Sequence, residues 1–454
     1  MSTKTPRISG QQRIQFSGPF YTDFKIPTFE LLSEGYNEAQ TRVHETIVNS
    51  ERQLAEGWVI EGKVQRTAQK RFWGAYGDYA GKPIVSLSFL LKALPKSQHK
   101  AIKIGSHHFL PERVLLYFHE YGTGIITFDG TIQVDGILTF EEYCHVLDEL
   151  AEQLCNRYQE TVANHCQFLK SILQKSDILV SKPFQHSGKL EEQLNALVPT
   201  EQILWLHHVC IFSITGSMSR ERVEPYTVFL QTTKAGLPKN LSPTPDLEYY
   251  APGWIKSLIV YGEGAERKFN FLRILALAQY HWASMALMDY VLLSEQNQFA
   301  VRTKQHRDIR QMKRDIRFLK QLDDEIYMFL KLMKNKILNL SAEGIRLYEG
   351  FVEIGKQDEL GRDLKDNVAR LQRIYGEYID YLKEHRSITL ERFIKIFTLL
   401  SIVPIIFELV RFIQAGSGLL GTELLFNILT VLTVSSTISA IILVILYIME
   451  RREI

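Results

Sequence analysis

The sequence predicts an α+β body, a long helical stalk and a C-terminal hairpin of two transmembrane helices. Hydropathy divides the 454 residues sharply, because 1–390 are polar and charged whereas 396–449 are almost entirely apolar. Short β-patterned runs alternate with helical ones up to residue 262, and beyond it the pattern is almost entirely helical. These two observations together define the predicted fold class.

Composition excludes several functional classes. The formal net charge is +2 and the mean hydropathy is −0.09, so the chain has no strong attraction for nucleic acid. The first residues lack the apolar segment of a secretory signal, and we therefore expect a cytoplasmic body. No cysteines have CxxC spacing, which favours small packing residues in a reducing compartment. There are four of them: Cys144, Cys155, Cys166 and Cys210.

Within the body, helix and strand signals alternate. A helix is predicted over 34–56 and a second from Phe140 to about Gln174, where Thr139 followed by Glu141 and Glu142 is a start signal. The glycines of EYGTG favour a hairpin between two strands. Strands are predicted at 84–91, 101–104, 114–119, 124–128, 178–180, 202–213, 226–231 and 257–261.

These signals divide the chain into seven segments. The division follows the change from alternating strands and helices to continuous helix, and then to apolar sequence. We expect an irregular arm over 1–33, an α/β domain over 34–262 with a break near 176–200, a helical stalk over 263–392, a first span over 393–414, an outer loop over 415–423, a second span over 424–449 and a tail over 450–454.

The apolar C-terminal region predicts the membrane hairpin. Residues 424–449 carry no charge and exceed the 20 or so apolar residues that a spanning helix needs. Residues 396–413 are interrupted by Pro404, Glu408 and Arg411, and are interpreted as the first half of the hairpin. Basic residues flank both spans but not the loop, which predicts an inner-membrane protein with both termini in the cytoplasm.

Polar residues in the first span suggest a pore. Glu391, Thr398, Ser401 and Glu408 fall within one sector of roughly 100° on a helical projection. In a ring of identical subunits this sector would form stacked hydroxyls and carboxylates, as in a cation pathway. The alternative is that Glu408 and Arg411 form a local ion pair.

No catalytic or metal-binding motif is present. The sequence lacks HExxH, GxSxG, a P-loop and clustered Cys and His, so no enzyme is predicted and the metal site is left undefined. A weak anion site is predicted at Gly262 and Gly264, with Arg267 at the start of the next helix and Arg310 in a basic run. The alternatives are an ordinary turn and a solvated helix face.

A coiled-coil seam leads into the first span. Its members alternate in steps of four and three, which favours pairing with other copies of the chain. They are Leu364, Val368, Leu371, Tyr375, Tyr378 and Leu382.

The stalk, the hairpin and the segment from Lys395 to Thr398, followed by Pro404, resemble the CorA-type magnesium transporters. The resemblance implies a homopentamer with the first span lining the pore and magnesium as its ion. The Gly-Met-Asn motif of that family is replaced here by FELVRFIQAG. Divergent CorA-like proteins include membrane effectors of antiviral systems, and some of those occur in CRISPR loci that signal with nucleotide messengers.

The resulting hypothesis is an oligomeric CorA-like cation channel whose body controls the pore. The alternative is a ligand-triggered effector of antiviral defence that senses a nucleotide messenger and perturbs the membrane. The expected partners are other copies of the chain, the lipid bilayer and a small anionic ligand, and no direct binding of nucleic acid is expected.

Overall fold

The computed structural model describes the larger part of the chain, with gaps. The described residues are 7–24, 58–60, 85–90, 101–119, 121–175, 201–214, 223, 226, 248–253, 255–262, 271–304, 309–337, 340, 342–414, 429–430 and 433.

Nine described strands form one mixed sheet. All pairings are antiparallel except that of β7 with β9, and the strand order is β2-β3-β5-β6-β1-β7-β9-β8, with β4 paired to β5. The strands are β1 (Ile8–Tyr21), β2 (Trp58–Ile60), β3 (Val85–Leu90), β4 (Ile102–Ile104), β5 (His107–Phe118), β6 (Thr123–Leu138), β7 (His207–Ile214), β8 (Glu248–Ala251) and β9 (Lys256–Gly262).

Five helices among the described residues accompany the sheet. They are α1 (Phe140–Lys175), α2 (Phe271–Lys304), α3 (Ile309–Ile337), α4 (Ala342–Ile354) and α5 (Gln357–Gln414). The chain divides into two compact units, the first comprising Met1–Gln298 with Asp324–Asn367 and the second Phe299–Asp323 with Val368–Ile454. Helices α2, α3 and α5 therefore each contribute residues to both units.

The apolar core of the first unit lies between one sheet face and α1. Along α1, buried side chains recur every three or four residues, at Leu147, Leu150, Leu154 and Tyr158. The Tyr158 ring packs edge-to-face on Phe128 of β6, with 4.9 Å between centroids. This packing confirms the predicted helix from Phe140, because its apolar stripe is the face that the sheet covers.

The cysteines are packing residues, as predicted. All four are free thiols, with Cys166 and Cys210 buried in the α1–sheet core and Cys144 and Cys155 packed against its edge. Burial raises the pKa of both the Cys144 and the Cys155 thiol to about 11. Neither thiol is a ready nucleophile at neutral pH, because the thiolate is the reactive form.

A reciprocal cap starts α1. The Thr139 hydroxyl accepts from the Glu142 backbone N–H at 3.3 Å, while the Glu142 carboxylate accepts from the Thr139 backbone N–H at 2.7 Å. This arrangement is a capping box, in which two donors without helical partners are satisfied. The start signal predicted at Thr139 is therefore confirmed.

We expect Thr139→Ala to lower the free energy of unfolding by about 1 kcal/mol, because the N-cap hydroxyl is lost. Chemical denaturation followed by circular dichroism measures the change. The matched control is Thr131→Ala on β6, which removes a hydroxyl from a strand and not from a cap. Equal losses in the two variants would contradict a specific capping role.

Several strand predictions agree with the structure and others differ. The predicted hairpin is confirmed, because β5 and β6 pair across Gly122, whose φ of 72° requires glycine-like freedom. Residues 8–21, which lie in the N-terminal segment that was expected to be irregular, form β1 instead, at the centre of the sheet. Tyr226 is helical rather than extended. The predicted helix 34–56, strand 178–180 and the remainder of 226–231 lie outside the described residues.

The predicted transmembrane hairpin is wrong for the part of the chain that the structure describes. No helix among those residues is long and apolar enough to cross a membrane. Residues 396–413 are the end of the 58-residue helix α5, continuous with its polar stalk and interrupted by Pro404, Glu408 and Arg411. The second span, 424–449, lies outside the described residues except for Leu429, Thr430 and Thr433. The predicted fold class, which includes this hairpin, and the predicted inner-membrane localisation are therefore also wrong.

Candidate functional site

The second face of the sheet is polar where it meets α2. Side chains of a strand alternate between faces, so Phe16 and Phe20 of β1 join the α1 core while Ser17 and Tyr21 point to the opposite side. Ser17 is fully buried there, and so is Thr123 of β6, which pairs with Tyr21. Buried hydroxyls need hydrogen-bond partners, and α2 supplies them.

Seven consecutive residues of α2, Ala278 to Ser284, are each held by a contact from another element, and we call them the α2 collar. On the sheet side, the Ser17 hydroxyl donates to the Gln279 Oε1 at 2.5 Å, and the Gln279 Nε2 donates back to the Ser17 carbonyl at 2.9 Å. The Tyr21 hydroxyl donates to the Ala283 carbonyl at 3.3 Å. The hydroxyls of Thr123 and Ser284 lie 3.0 Å apart.

Other elements close the collar on its remaining sides. The Gln357 Nε2, at the start of α5, donates to the Ala278 carbonyl at 3.0 Å. The His119 ring stacks on Tyr280 with 3.9 Å between centroids. Trp282 packs edge-to-face on Trp205 at 5.0 Å. Because contacts surround the whole helix, the collar fixes both its rotation and its height against the sheet.

The contact of the remaining collar residue, His281, joins α2 to α4. His281 Nδ1 and the Tyr348 hydroxyl lie 2.5 Å apart, and both side chains are fully buried. Burial raises the pKa of Tyr348 well above its ordinary range, so the phenol keeps its proton. A buried phenol O–H needs an acceptor and His281 Nδ1 lies within reach of it, so we assign the phenol as the donor and Nδ1 as the acceptor.

A second polar cluster lies at the opposite face, where α1 meets β7 and β9. The carboxylate of Asp148 lies 3.6 Å from His208 Nδ1 and 3.2 Å from Lys256 Nζ. Burial of His208, assisted by the charge of Lys256, lowers its pKa to about 3. Asp148 would oppose this effect, but its side chain is half exposed and already pairs with Lys256, so burial decides the direction.

The predicted coiled-coil seam has partners within the chain. Leu364, Val368, Leu371 and Tyr375 are all buried without a second copy. In the second unit, the Tyr375 ring lies 4.4 Å from that of Phe299. The Gln372 side chain donates to the Leu319 carbonyl at 3.3 Å. The spacing correctly identified a packed seam, but it does not call for other copies.

Farther along α5, large apolar side chains are exposed instead. We call residues 387–414 the arm, and they are helical throughout. Eight described apolar side chains of the arm expose between 42% and 71% of their surface. These are Ile388, Leu390, Phe393, Ile394, Ile402, Ile406, Phe407 and Val410. A helix with apolar residues on several faces requires cover that this chain's described residues do not provide.

The four predicted pore residues all lie on the arm, but they do not form a site within one chain. Glu391 is exposed and pairs with Lys395 at 2.6 Å. Thr398 is exposed, and its hydroxyl donates to the Ile394 carbonyl at 2.8 Å, as hydroxyls in helices commonly do. Ser401 and Glu408 are helical, and their side chains lie outside the described residues.

The predicted anion site is described only in part. Gly262 ends β9 and pairs with Ile214 of β7. Arg310 lies in the first turn of α3, and its side chain is not among those described. Gly264 and Arg267 lie outside the described residues. Over the described residues, no group of three or more His, Cys, Asp or Glu could hold a metal ion.

Sequence reasoning missed the α2 collar. A signal was present, because Gln279, His281 and Ser284 interrupt the otherwise apolar stretch 274–288 at spacings of two and three. Such residues in an apolar helix indicate a polar partner on the opposing surface. The pattern does not reveal which strand or helix provides that partner.

No family model, no curated protein and no solved structure matches the chain. The CorA-like resemblance therefore remains a prediction that the residues of 395–404 support.

Proposed function

We propose that this chain is a self-assembling protein whose copies associate through the arm of α5. The single observation that carries the proposal is the exposure of eight large apolar side chains on a helix that continues beyond its buried seam. The proposal retains the homo-oligomer of the sequence analysis and does not rest on a membrane span. The expected pentamer and the expected binding of a small anionic ligand remain predictions.

The exposed area is large enough for a specific interface. A phenylalanine offers roughly 150–250 Å² and the aliphatic side chains lie at or below the lower end of that range, so eight at about half exposure present on the order of 700 Å² per copy. A standard protein–protein interface buries about 800 Å² on each partner. Because these side chains lie on several faces of the helix, a bundle of more than two arms is needed to bury an area typical of stable complexes.

Charges on the arm are compatible with a second copy as the partner. In its first turns Glu391 accompanies Arg392 and Lys395, so both signs are present on neighbouring positions. Such a mixture does not repel an identical helix, and it allows charge pairs between copies. A strongly single-signed arm would instead have indicated a partner of opposite charge.

The experiment replaces two exposed rings on one side of the arm. Phe393 and Phe407 are two heptads apart, and thus about 40° apart on the helix. In Phe393→Glu/Phe407→Glu, two carboxylates would be buried in the interface. We expect the dissociation constant of the oligomer to rise at least about 100-fold, because an unpaired buried charge costs several kcal/mol.

Sedimentation of the full chain in a mild detergent, with the mass corrected for bound detergent, measures the assembly. Wild type is expected at a multiple of 52.5 kDa and the double variant at 52.5 kDa. The matched control is Arg373→Ala/Glu377→Ala, which removes an exposed ion pair from the same helix and is expected to assemble like wild type. Circular dichroism checks that each variant keeps its helix.

Three outcomes would overturn the proposal. A monomeric wild-type chain would remove the oligomer altogether. An unchanged oligomer in the double variant would place the interface elsewhere. A wild-type monomer that floats with phosphatidylcholine vesicles, while the double variant does not, would assign the exposed face to lipid.

A further inference from the structure

The contact between His281 and Tyr348 combines three properties. It joins two helices that are not neighbours in sequence, it is fully buried, and one of its members titrates near neutral pH in its ordinary state. With the buried phenol assigned as the donor, Nδ1 of His281 carries no proton and accepts.

From this geometry we propose that the His281–Tyr348 pair is an acid-sensitive latch that holds α4 against α2. Proton uptake by His281 removes the lone pair that accepts from Tyr348 and places a cation in a closed aromatic environment. Conformations in which α4 has separated from α2 admit water to the ring. Acid therefore favours local opening of α4.

The aromatic rings that contact His281 are uncharged. The Phe329 ring of α3 lies 5.9 Å away and the neighbouring Tyr280 ring 5.1 Å away, both measured between ring centroids. These contacts are apolar or aromatic, and an aromatic site that excludes water makes a charged imidazole unfavourable.

The ionisable groups around the pair come from several elements. They are Tyr348 of α4, Tyr280 of α2 itself, and His119, which stacks on Tyr280. Asp358, at the start of α5, acts electrostatically on Tyr348. On α3, Glu325 lies one turn before Phe329 and therefore on the same side of that helix.

Helix α4 is short enough to open as a local unit. It has only 13 residues and is flanked on its C-terminal side by Gly355 and by Lys356, whose φ is 48°. A non-glycine residue at positive φ costs free energy, so this junction is less stable than a continuous helix. Short elements at the periphery of a fold open before the larger core does.

Hydrogen exchange of the full chain at pH 7.5 and pH 5.5, corrected for the intrinsic rates, tests the latch. In wild type we expect protection of residues 342–354 to fall at least about tenfold at pH 5.5. Protection of 147–162, in the core of α1, should fall less. An equal loss in both segments would show global destabilisation and overturn the latch.

Two variants separate titration from packing. In His281→Gln the side chain does not titrate in this range, so the extra loss in 342–354 at pH 5.5 should disappear. In Tyr348→Phe the hydrogen bond is absent, so protection of 342–354 should be reduced at both pH values. A pH response that persists in His281→Gln would overturn the proposal. Retained protection of 147–162 shows that each variant is folded.

Discussion

Gly18→Ala is expected to lower the free energy of unfolding by about 3 kcal/mol or more, and to prevent folding at 37 °C if the chain is marginally stable. Gly18 lies on β1, and a methyl group on its Cα would overlap the backbone carbonyl oxygen of Trp205 and press on the Leu206 side chain. Backbone cannot move aside as a flexible side chain can. The substitution therefore strains the centre of the sheet.

The close approach at Gly18 has an identifiable cause. The segment that precedes β7 runs along β1, where the Leu204 backbone N–H donates to the Pro19 carbonyl at 2.9 Å. Phe20 and Ile203 form an antiparallel bridge in the same region. Moving this segment away to accommodate a methyl group would break these backbone contacts.

Urea denaturation measures the effect, with Gly376→Ala as the matched control. Gly376 lies within α5, and a methyl group there meets nothing within 4 Å. Alanine has the higher helix propensity, so the control should gain up to about 1 kcal/mol. A Gly18→Ala variant within about 0.5 kcal/mol of wild type would contradict the close packing of the 203–206 segment on β1.

Acid is expected to destabilise the fold through His208. In the folded chain burial lowers the pKa of His208 to about 3, whereas an unfolded histidine has a pKa near 6.5. Between these two values the unfolded chain binds the proton and the folded chain does not. Stability is therefore complete above about pH 6.5 and declines as the pH falls from 6.5 toward 3.

The magnitude of this effect is substantial. At about 1.4 kcal/mol per pH unit between the two pKa values, the loss approaches ~5 kcal/mol, and relaxation around the ring reduces the expected loss to about 2–3 kcal/mol. Urea denaturation at intervals from pH 7 to pH 4 measures it. In His208→Gln the dependence on pH should become flatter by that amount.

The control for the acid experiment is His108→Gln. His108 lies on β5 with an exposed side chain, and pairs with Lys103 across the β4–β5 ladder. This variant should keep the full loss of stability in acid. If His208→Gln and wild type lose stability in parallel, other groups cause the acid sensitivity.

The sequence by itself predicted the elements that depend on local contacts. The start of α1 depends on Thr139 and Glu142, three residues apart, and its stripe of Leu147, Leu150 and Leu154 follows from helical periodicity alone. The β5–β6 hairpin likewise depends on Gly122, which adopts the positive φ that the turn between the two strands requires. Each of these elements is determined by contacts between near neighbours in the chain.

The tertiary structure decided which surfaces pair over long distances. Ser17 and Gln279 of the collar are 262 residues apart, and β1 occupies the centre of the sheet although its sequence is rich in Gly and polar residues. The Leu364–Tyr375 seam was visible as a pattern, but periodicity specifies an apolar face and not its partner. The apolar composition of 396–413 predicted a membrane span, and this was wrong for the described residues because composition also does not identify what covers an apolar face. Hydropathy counts side chains in one segment, whereas the partner of a face depends on every other surface that the folded chain brings to it.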